Sequence, residues 1–310
     1  MGLSTSIRSS ISIWLGLIRF SHTIFALPFA ALATVMAYAT PLPSGELPPV
    51  TVGSILGVLS CMVFARSAAM AFNRLVDREI DLRNPRTAGR HLPAGLVSVG
   101  SVRWFTLLCS VGFVLSTLLF LPNWLPLVFS LPVLFFLCGY SLAKRFTSAA
   151  HLWLGIALSL SPICVWVAIR GPGSAVIASE WIAPLVLACG VAAWVTGFDI
   201  IYACQDAAYD VSVGLHSVPA RFGVAGALRI ALVMHLIMLL VLSLLPWLDS
   251  GVSLGWIFEA GVISSAVLVI RQHRLVSPTD LARVNEAFFQ ANASISLILL
   301  LFGSVDTLIR

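Results

Sequence analysis

Apolar runs of membrane-spanning length, joined by short polar segments, set the pattern of this 310-residue chain. A spanning helix needs roughly 20 mostly apolar residues. On that rule nine runs qualify, at about 14–39, 51–72, 100–121, 124–142, 150–170, 181–204, 224–245, 252–271 and 287–308. The pattern predicts an all-α membrane protein with nine transmembrane helices. The first run lacks a small-residue cleavage site and reads as a membrane helix, not as a removed signal. Loops after the even-numbered runs hold Arg78, Arg83, Arg86, Arg90, Lys144, Arg145, Arg221, Arg274 and Arg283. Loops after the odd-numbered runs hold one basic residue, Arg170. The positive-inside rule therefore places the even loops and the N-terminus in the cytoplasm and the C-terminus outside.

Two polar clusters interrupt this pattern. NRLVDREID spans Asn73 to Asp81, with Asn73, Asp77 and Asp81 four residues apart. On a helix those side chains share a face, which continues two turns back to Arg66. DIIYACQDAAYD spans Asp199 to Asp210, and its matching face holds Asp199, Tyr202, Asp206 and Asp210. One cluster ends the second run and the other ends the sixth. An even number of crossings separates them, so both emerge on the same side of the membrane. The arrangement hints at a repeat of four helices.

Carboxylates on membrane helices are costly and face a partner or a wet cavity. Asp77, Asp81, Asp206 and Asp210 gathered at one face need counter-charge. Mg²⁺ suits carboxylate oxygens and shares its remaining positions with phosphates. Arg74, Arg78, Arg83, Arg86, Arg90, Lys144, Arg145 and Arg221 lie nearby, and arginines mixed with carboxylates point to an anion bridged by metal, a diphosphate fitting best. Arg103, Arg229, Arg271, Arg274 and Arg283 read as neighbours of lipid headgroups. A transporter also carries intramembrane charge, but its site more often lies near the midplane.

Composition agrees with a bilayer setting: 59% of residues are hydrophobic and 10% charged, against about 25% charged in soluble domains. The net charge of +5 follows from the loop bias and implies no nucleic-acid partner. The six cysteines lie within or at the ends of apolar runs and none has metal-ligand spacing. They read as small buried hydrophobes, with neither a disulfide framework nor zinc expected.

NRLVDREID resembles the NxxxDxxxD motif of the UbiA superfamily of intramembrane aromatic prenyltransferases. DIIYACQDAAYD, with QDAAYD as its core, resembles that superfamily's second, DxxxD motif. NPRTAGRHLPAG is similar to a family loop close to RPLPAG, and YSLAKRFT, Tyr140 to Thr147, to the basic loop between the fourth and fifth helices. IRFSHTIFALPFA and GLHSVPARFG also fit, so the likeness spans nearly the whole chain.

The resemblance implies a bundle of nine transmembrane helices around a central cavity, with residues 1–310 forming a single domain. Its motif-bearing loops, about 73–98 and 206–223, would face the cytoplasm from a bacterial inner membrane. It implies Mg²⁺ and a polyprenyl diphosphate held by Asn73, Asp77 and Asp81 together with Asp206 and Asp210, and a diphosphate contact from Lys144 and Arg145. Arg74, Arg78, Arg86, Tyr140 and Tyr202 are further expected substrate contacts. The reaction implied joins a prenyl group to the ring carbon ortho to the phenol of an aromatic acid: 4-hydroxybenzoate for ubiquinone, or 1,4-dihydroxy-6-naphthoate for menaquinone. Asp199, deeper than Asp206, would stabilise the allylic cation or draw the phenol proton. Otherwise it is a buried Asp bonded to Tyr202 or to an arginine of a facing helix. Arg66 would meet an acceptor carboxylate or a diphosphate oxygen, or pair with Asp199. Arg19 and His22 share a face of the first helix, where the family usually carries a basic pair ending in Lys-Pro. His-Thr stands here instead, which leaves the acceptor open. His151, His235 and Glu259 have no partner readable from the sequence, and no obligate protein partner is expected.

Overall fold

The computed structural model describes residues 12–19 and 23–310. After a helical stretch over 12–17, the helices are α1 (Thr23–Ala39), α2 (Val52–Val76), α3 (Arg78–Arg83), α4 (Val99–Thr117), α5 (Leu125–Ala143), α6 (Ala150–Ala175), α7 (Ile182–Ala203), α8 (Ala207–Ser212), α9 (Val218–Leu244), α10 (Trp256–Arg274) and α11 (Val284–Ile309). Among the described residues the only β pairing is an isolated bridge between Ser277 and Asp280. Helices dominate because a lipid-exposed backbone must satisfy its own hydrogen bonds. Their starts carry the expected caps: the hydroxyls of Thr51, Ser98 and Ser217 accept from the amides of Ser54, Ser101 and Ala220.

Among the described residues seven spans are long and apolar enough to cross a membrane, those built on α2, α4, α5, α6, α7, α9 and α11. The chain is a multi-pass integral membrane protein. Helices α1, described over 17 residues, and α10, with 19 residues ending in Arg271, Gln272, His273 and Arg274, also lie on apolar runs of the sequence.

Helix α7 is the axis of the bundle. It packs chiefly against α6 and α9, while α2 packs against α4 and α5, and α11 against α10 and α1. Glycine permits a close crossing of α6 and α7: a Cβ on Gly155 of α6 would lie 2.5 Å from the Ala192 carbonyl and would also strike Thr196. Small residues at such points let helix backbones approach where lipid supplies no hydrophobic drive. The core around α7 is aromatic, with Phe29, Trp194, Phe198 and Phe288 in contact, and Trp194 Nε1 donates to Asn292 Oδ1 at 2.9 Å.

One end of the bundle is closed by Arg170, whose guanidinium is buried. It pairs with Glu180 and donates to the carbonyls of Thr40 and Pro41, both at 2.7 Å. At the other end α2 and α7 both break. Asp77 (φ −89°, ψ 6°) and Asp206 (φ −99°, ψ 1°) leave helical geometry, and each is followed by a six-residue helix, α3 or α8. The motifs are therefore not continuous helical stripes. Each bends at its first aspartate and carries its second, Asp81 or Asp210, buried on the short helix.

Candidate active site

The two bends bring the motifs to opposite walls of one polar cavity of about 260 Å³. Arg19, Arg66, Asn73, Arg74, Asp77, Asp81, Arg86, Tyr140, Lys144, Arg145, Asp199, Tyr202, Asp206 and Asp210 all line it. Arg78 does not. It is exposed at the start of α3 and pairs with Glu79. His22 lies outside the described residues.

Each motif carboxylate has a basic partner. Asp77 accepts from Asn73 Nδ2 at 2.8 Å and from Arg145 Nη2 at 3.0 Å. Burial raises the Asp77 carboxyl above its ordinary pKa despite the opposing charge of Arg145. Asp81 accepts from Arg90 Nη1 at 2.6 and 2.7 Å, with Arg74 Nη1 at 3.9 Å. Asp206 accepts from Asn84 Nδ2 at 2.9 Å and from Arg86 Nε at 2.7 Å, and the second Arg86 contact makes the pair bidentate. Burial alone would lower the Arg86 pKa, but the hydrogen bonds and charge of Asp206, with Tyr202, hold it above its ordinary value. Lys144 Nζ stands 4.0 Å from Asp210 Oδ2. The basic pair between α5 and α6 thus divides its duties, Arg145 to the first motif and Lys144 to the second. Tyr209 ties the walls together by donating to the Ile80 carbonyl at 2.7 Å.

No group of three or more His, Cys, Asp or Glu side chains converges on one point among the described residues. The donor set is nevertheless of the hard-oxygen type that Mg²⁺ prefers. Asp210 Oδ2 is buried without a hydrogen-bond donor, an orphaned carboxylate oxygen of the kind a cation would satisfy.

Deeper in the cavity the sequence-based pairing is corrected. Asp199 bonds neither Tyr202 nor Arg66. Its Oδ2 lies 2.6 Å from His151 Nδ1, on the first turn of α6. Tyr202 OH instead accepts from Arg86 at 3.1 Å and from Arg19 at 3.4 Å. Arg66 Nε is buried with no hydrogen-bond partner. A second cavity of about 370 Å³, almost wholly apolar, shares Arg66, Met70, Tyr140, Leu154 and Leu158 with the first and reaches Phe120 and Trp181. The site is therefore a charged mouth joined to an apolar chamber at Arg66 and Tyr140.

Sequence reasoning passed over Asn84, counted Arg90 only among the nearby basic residues, and left His151 without a partner. Asn84 and Arg90 lie in the NPRTAGRHLPAG loop, and the proline and glycines there signal a turn that folds back over α3. His151 carried a weaker signal, one polar residue at the start of an apolar run.

Comparison with known proteins follows the same lines. The UbiA prenyltransferase family matches residues 26–295. A 4-hydroxybenzoate octaprenyltransferase of Vibrio vulnificus is 31% identical over 238 residues, 77% of this chain and 78% of its own. One from Nitrosomonas europaea is 32% identical over 268 residues, 85% and 84% of the two chains. Among solved structures, the apo UbiA homologue of Aeropyrum pernix K1 superposes with a TM-score of 0.74 at 28% identity, covering 93% of this chain and 97% of that one. A UbiA homologue of Archaeoglobus fulgidus bound to DMAPP and Mg²⁺ shares the fold, with a TM-score of 0.71 at 14% identity and coverage of 96% and 99%.

Proposed function

The chain belongs to the UbiA prenyltransferase family, and we propose that it moves a polyprenyl group from polyprenyl diphosphate to the ring carbon ortho to the phenol of an aromatic acid. The acceptor of this reading is 4-hydroxybenzoate, in ubiquinone biosynthesis. The observation that carries it is the pairing of a basic, carboxylate-lined mouth with an apolar chamber through one junction. A diphosphate fits the first and an isoprenoid tail the second. Residues 1–310 act as a single unit in a bacterial inner membrane with the mouth toward the cytoplasm, as the arginine-rich loops support, and no protein partner is needed.

Asn73, Asp77, Asp81, Asp206 and Asp210 would hold Mg²⁺ together with the diphosphate. When bound, the metal neutralises charge on the departing group. Arg86, Lys144 and Arg145 already pair with these carboxylates and can meet phosphate oxygens from the same positions, while Arg74 and Tyr202 shape the mouth. The apolar chamber keeps water from the allylic cation. The half-buried Arg66, whose Nε has no partner, takes the acceptor's carboxylate at the junction with Tyr140, and Arg19 lines the same cavity, with His22 a further expected contact. Asp199, seven residues before Asp206 on the cavity wall, accepts the proton that the ring releases.

A second acceptor, 1,4-dihydroxy-6-naphthoate in menaquinone biosynthesis, is favoured by one observation, the His22-Thr23 pair where the family usually has Lys-Pro. Incubating purified protein with Mg²⁺, a polyprenyl diphosphate and each acid in turn, then identifying the product by mass, decides between them. We expect one prenylated acid and stoichiometric diphosphate release. Folded protein that prenylates neither acid would overturn the proposal.

A further inference from the structure

His151 is a buried titratable side chain directly behind the cavity-lining Asp199, and the proposed reaction leaves it without a task. It sits on the first turn of α6, fully packed, and its only side-chain partner is Asp199. Its other ring nitrogen, Nε2, is buried with no hydrogen-bond partner. A carboxylate oxygen accepts, so the contact with Asp199 assigns an N–H to Nδ1 of the ring. Nδ1–H donates to Asp199 Oδ2 and Oδ1 remains for the cavity. Among the described residues no arginine or lysine forms an ion pair with Asp199, whereas each motif carboxylate has one. The helix crossing serves this contact. Gly155, one turn after His151, lets α6 press against α7 at Ala192 and Thr196, and Thr196 Oγ1 reaches the His151 carbonyl at 3.5 Å.

We propose that His151 is the positioning residue for proton removal: it fixes the Asp199 carboxylate in one orientation, with one oxygen bonded to the ring nitrogen and the other presented to the acceptor. The inference rests on the reading of Asp199 as the proton acceptor. In the step it serves, the allylic C–O bond breaks and its electron pair leaves with the diphosphate. The ring's π electrons form the new C–C bond, and the proton on that ring carbon passes to Asp199 Oδ1, restoring aromaticity. His151 neither gains nor loses a proton.

The test uses the full chain in detergent and the acceptor identified by product mass, deuterated at the carbon that is prenylated. His151→Phe keeps the ring's bulk and removes the donor. We expect kcat to fall roughly 10²-fold, the KM for the acceptor to stay within about twofold, and the deuterium isotope effect on kcat to rise, because proton removal becomes rate-limiting. His151→Asn, whose amide nitrogen takes the place of Nδ1, should recover most of the rate, and His151→Gln, with the donor displaced by one methylene, should not. The pair of amide variants decides the matter even where Phe does not accumulate in the membrane. A Phe variant with the wild-type kcat and isotope effect overturns the proposal. So does a slow variant with an unchanged isotope effect that Asn fails to rescue, since that describes a packing role. Asp199→Asn separates the layers. If it keeps the wild-type kcat, the reading of Asp199 fails and the inference with it. If it is crippled while His151→Phe is not, only the inference fails.

Discussion

The two motifs end alike and are held differently. In both, a long helix ends at or just before the first aspartate and a six-residue helix buries the second. The first motif finds much of its counter-charge close by: Arg90 is nine residues from Asp81, Arg74 is on the preceding helix α2, and only Arg145 arrives from elsewhere. The second borrows nearly all of it. Asn84 and Arg86 reach Asp206 from 122 and 120 residues away, and Lys144 approaches Asp210 from the α5–α6 loop. The helices differ as well, with 67% of the apolar window on the α7 span buried against 39% on α2. Asp206 and Asp210 follow directly on the apolar central helix, so the loop after the first motif supplies the charge for Asp206 and Lys144 that for Asp210. The second motif is thus completed in part by the first.

That comparison can be broken most directly at the aspartates. If both halves hold the metal–diphosphate, Asp77→Ala and Asp206→Ala should each lower kcat/KM by about 10³-fold or more, and chelation by EDTA should bring the wild type to background until Mg²⁺ is restored. Product formation by mass spectrometry checks both, and a variant with full transfer removes its motif from the site. The borrowed charge comes next. Arg86→Ala should lower the thermal midpoint in detergent by the equivalent of about 1–2 kcal/mol, a value discounted for the guanidinium's partial exposure. Arg90→Ala should cost less, because Arg74 still flanks Asp81. Equal losses would mean that the two halves are held alike. At the small end, Arg78→Ala should leave kcat/KM within about twofold, since its side chain pairs with Glu79 away from the cavity; a larger loss would return Arg78 to the site.

Much of the architecture was legible along the chain because lipid imposes a simple rule: apolar runs become helices, and charge inside them must be answered. The rule found the axis helix α7, the same-side placement of both motifs and the basic loop with Lys144 and Arg145. It placed helices where α1 and α10 stand, although these two are shorter than the seven long apolar spans. It also treated each motif as one helical face. Spacing of four is compatible with a continuous helix and equally with a bend at Asp77 or Asp206, and side-chain periodicity cannot tell these apart.

Residue type and spacing therefore specified the chemistry: four aspartates on two stretches, arginines beside them, and one deep Asp199. Which base answers which acid was left to the packed fold. Arg66 and Asp199 looked complementary on paper, yet Gly155 lets α6 close on α7 and gives Asp199 to His151, leaving Arg66 unpaired at the junction of the two cavities. The physical reason is distance. Local sequence governs contacts within a helical turn or two, whereas an ion pair across 120 residues exists only once helix crossings have set which side chains come within about 3 Å of each other.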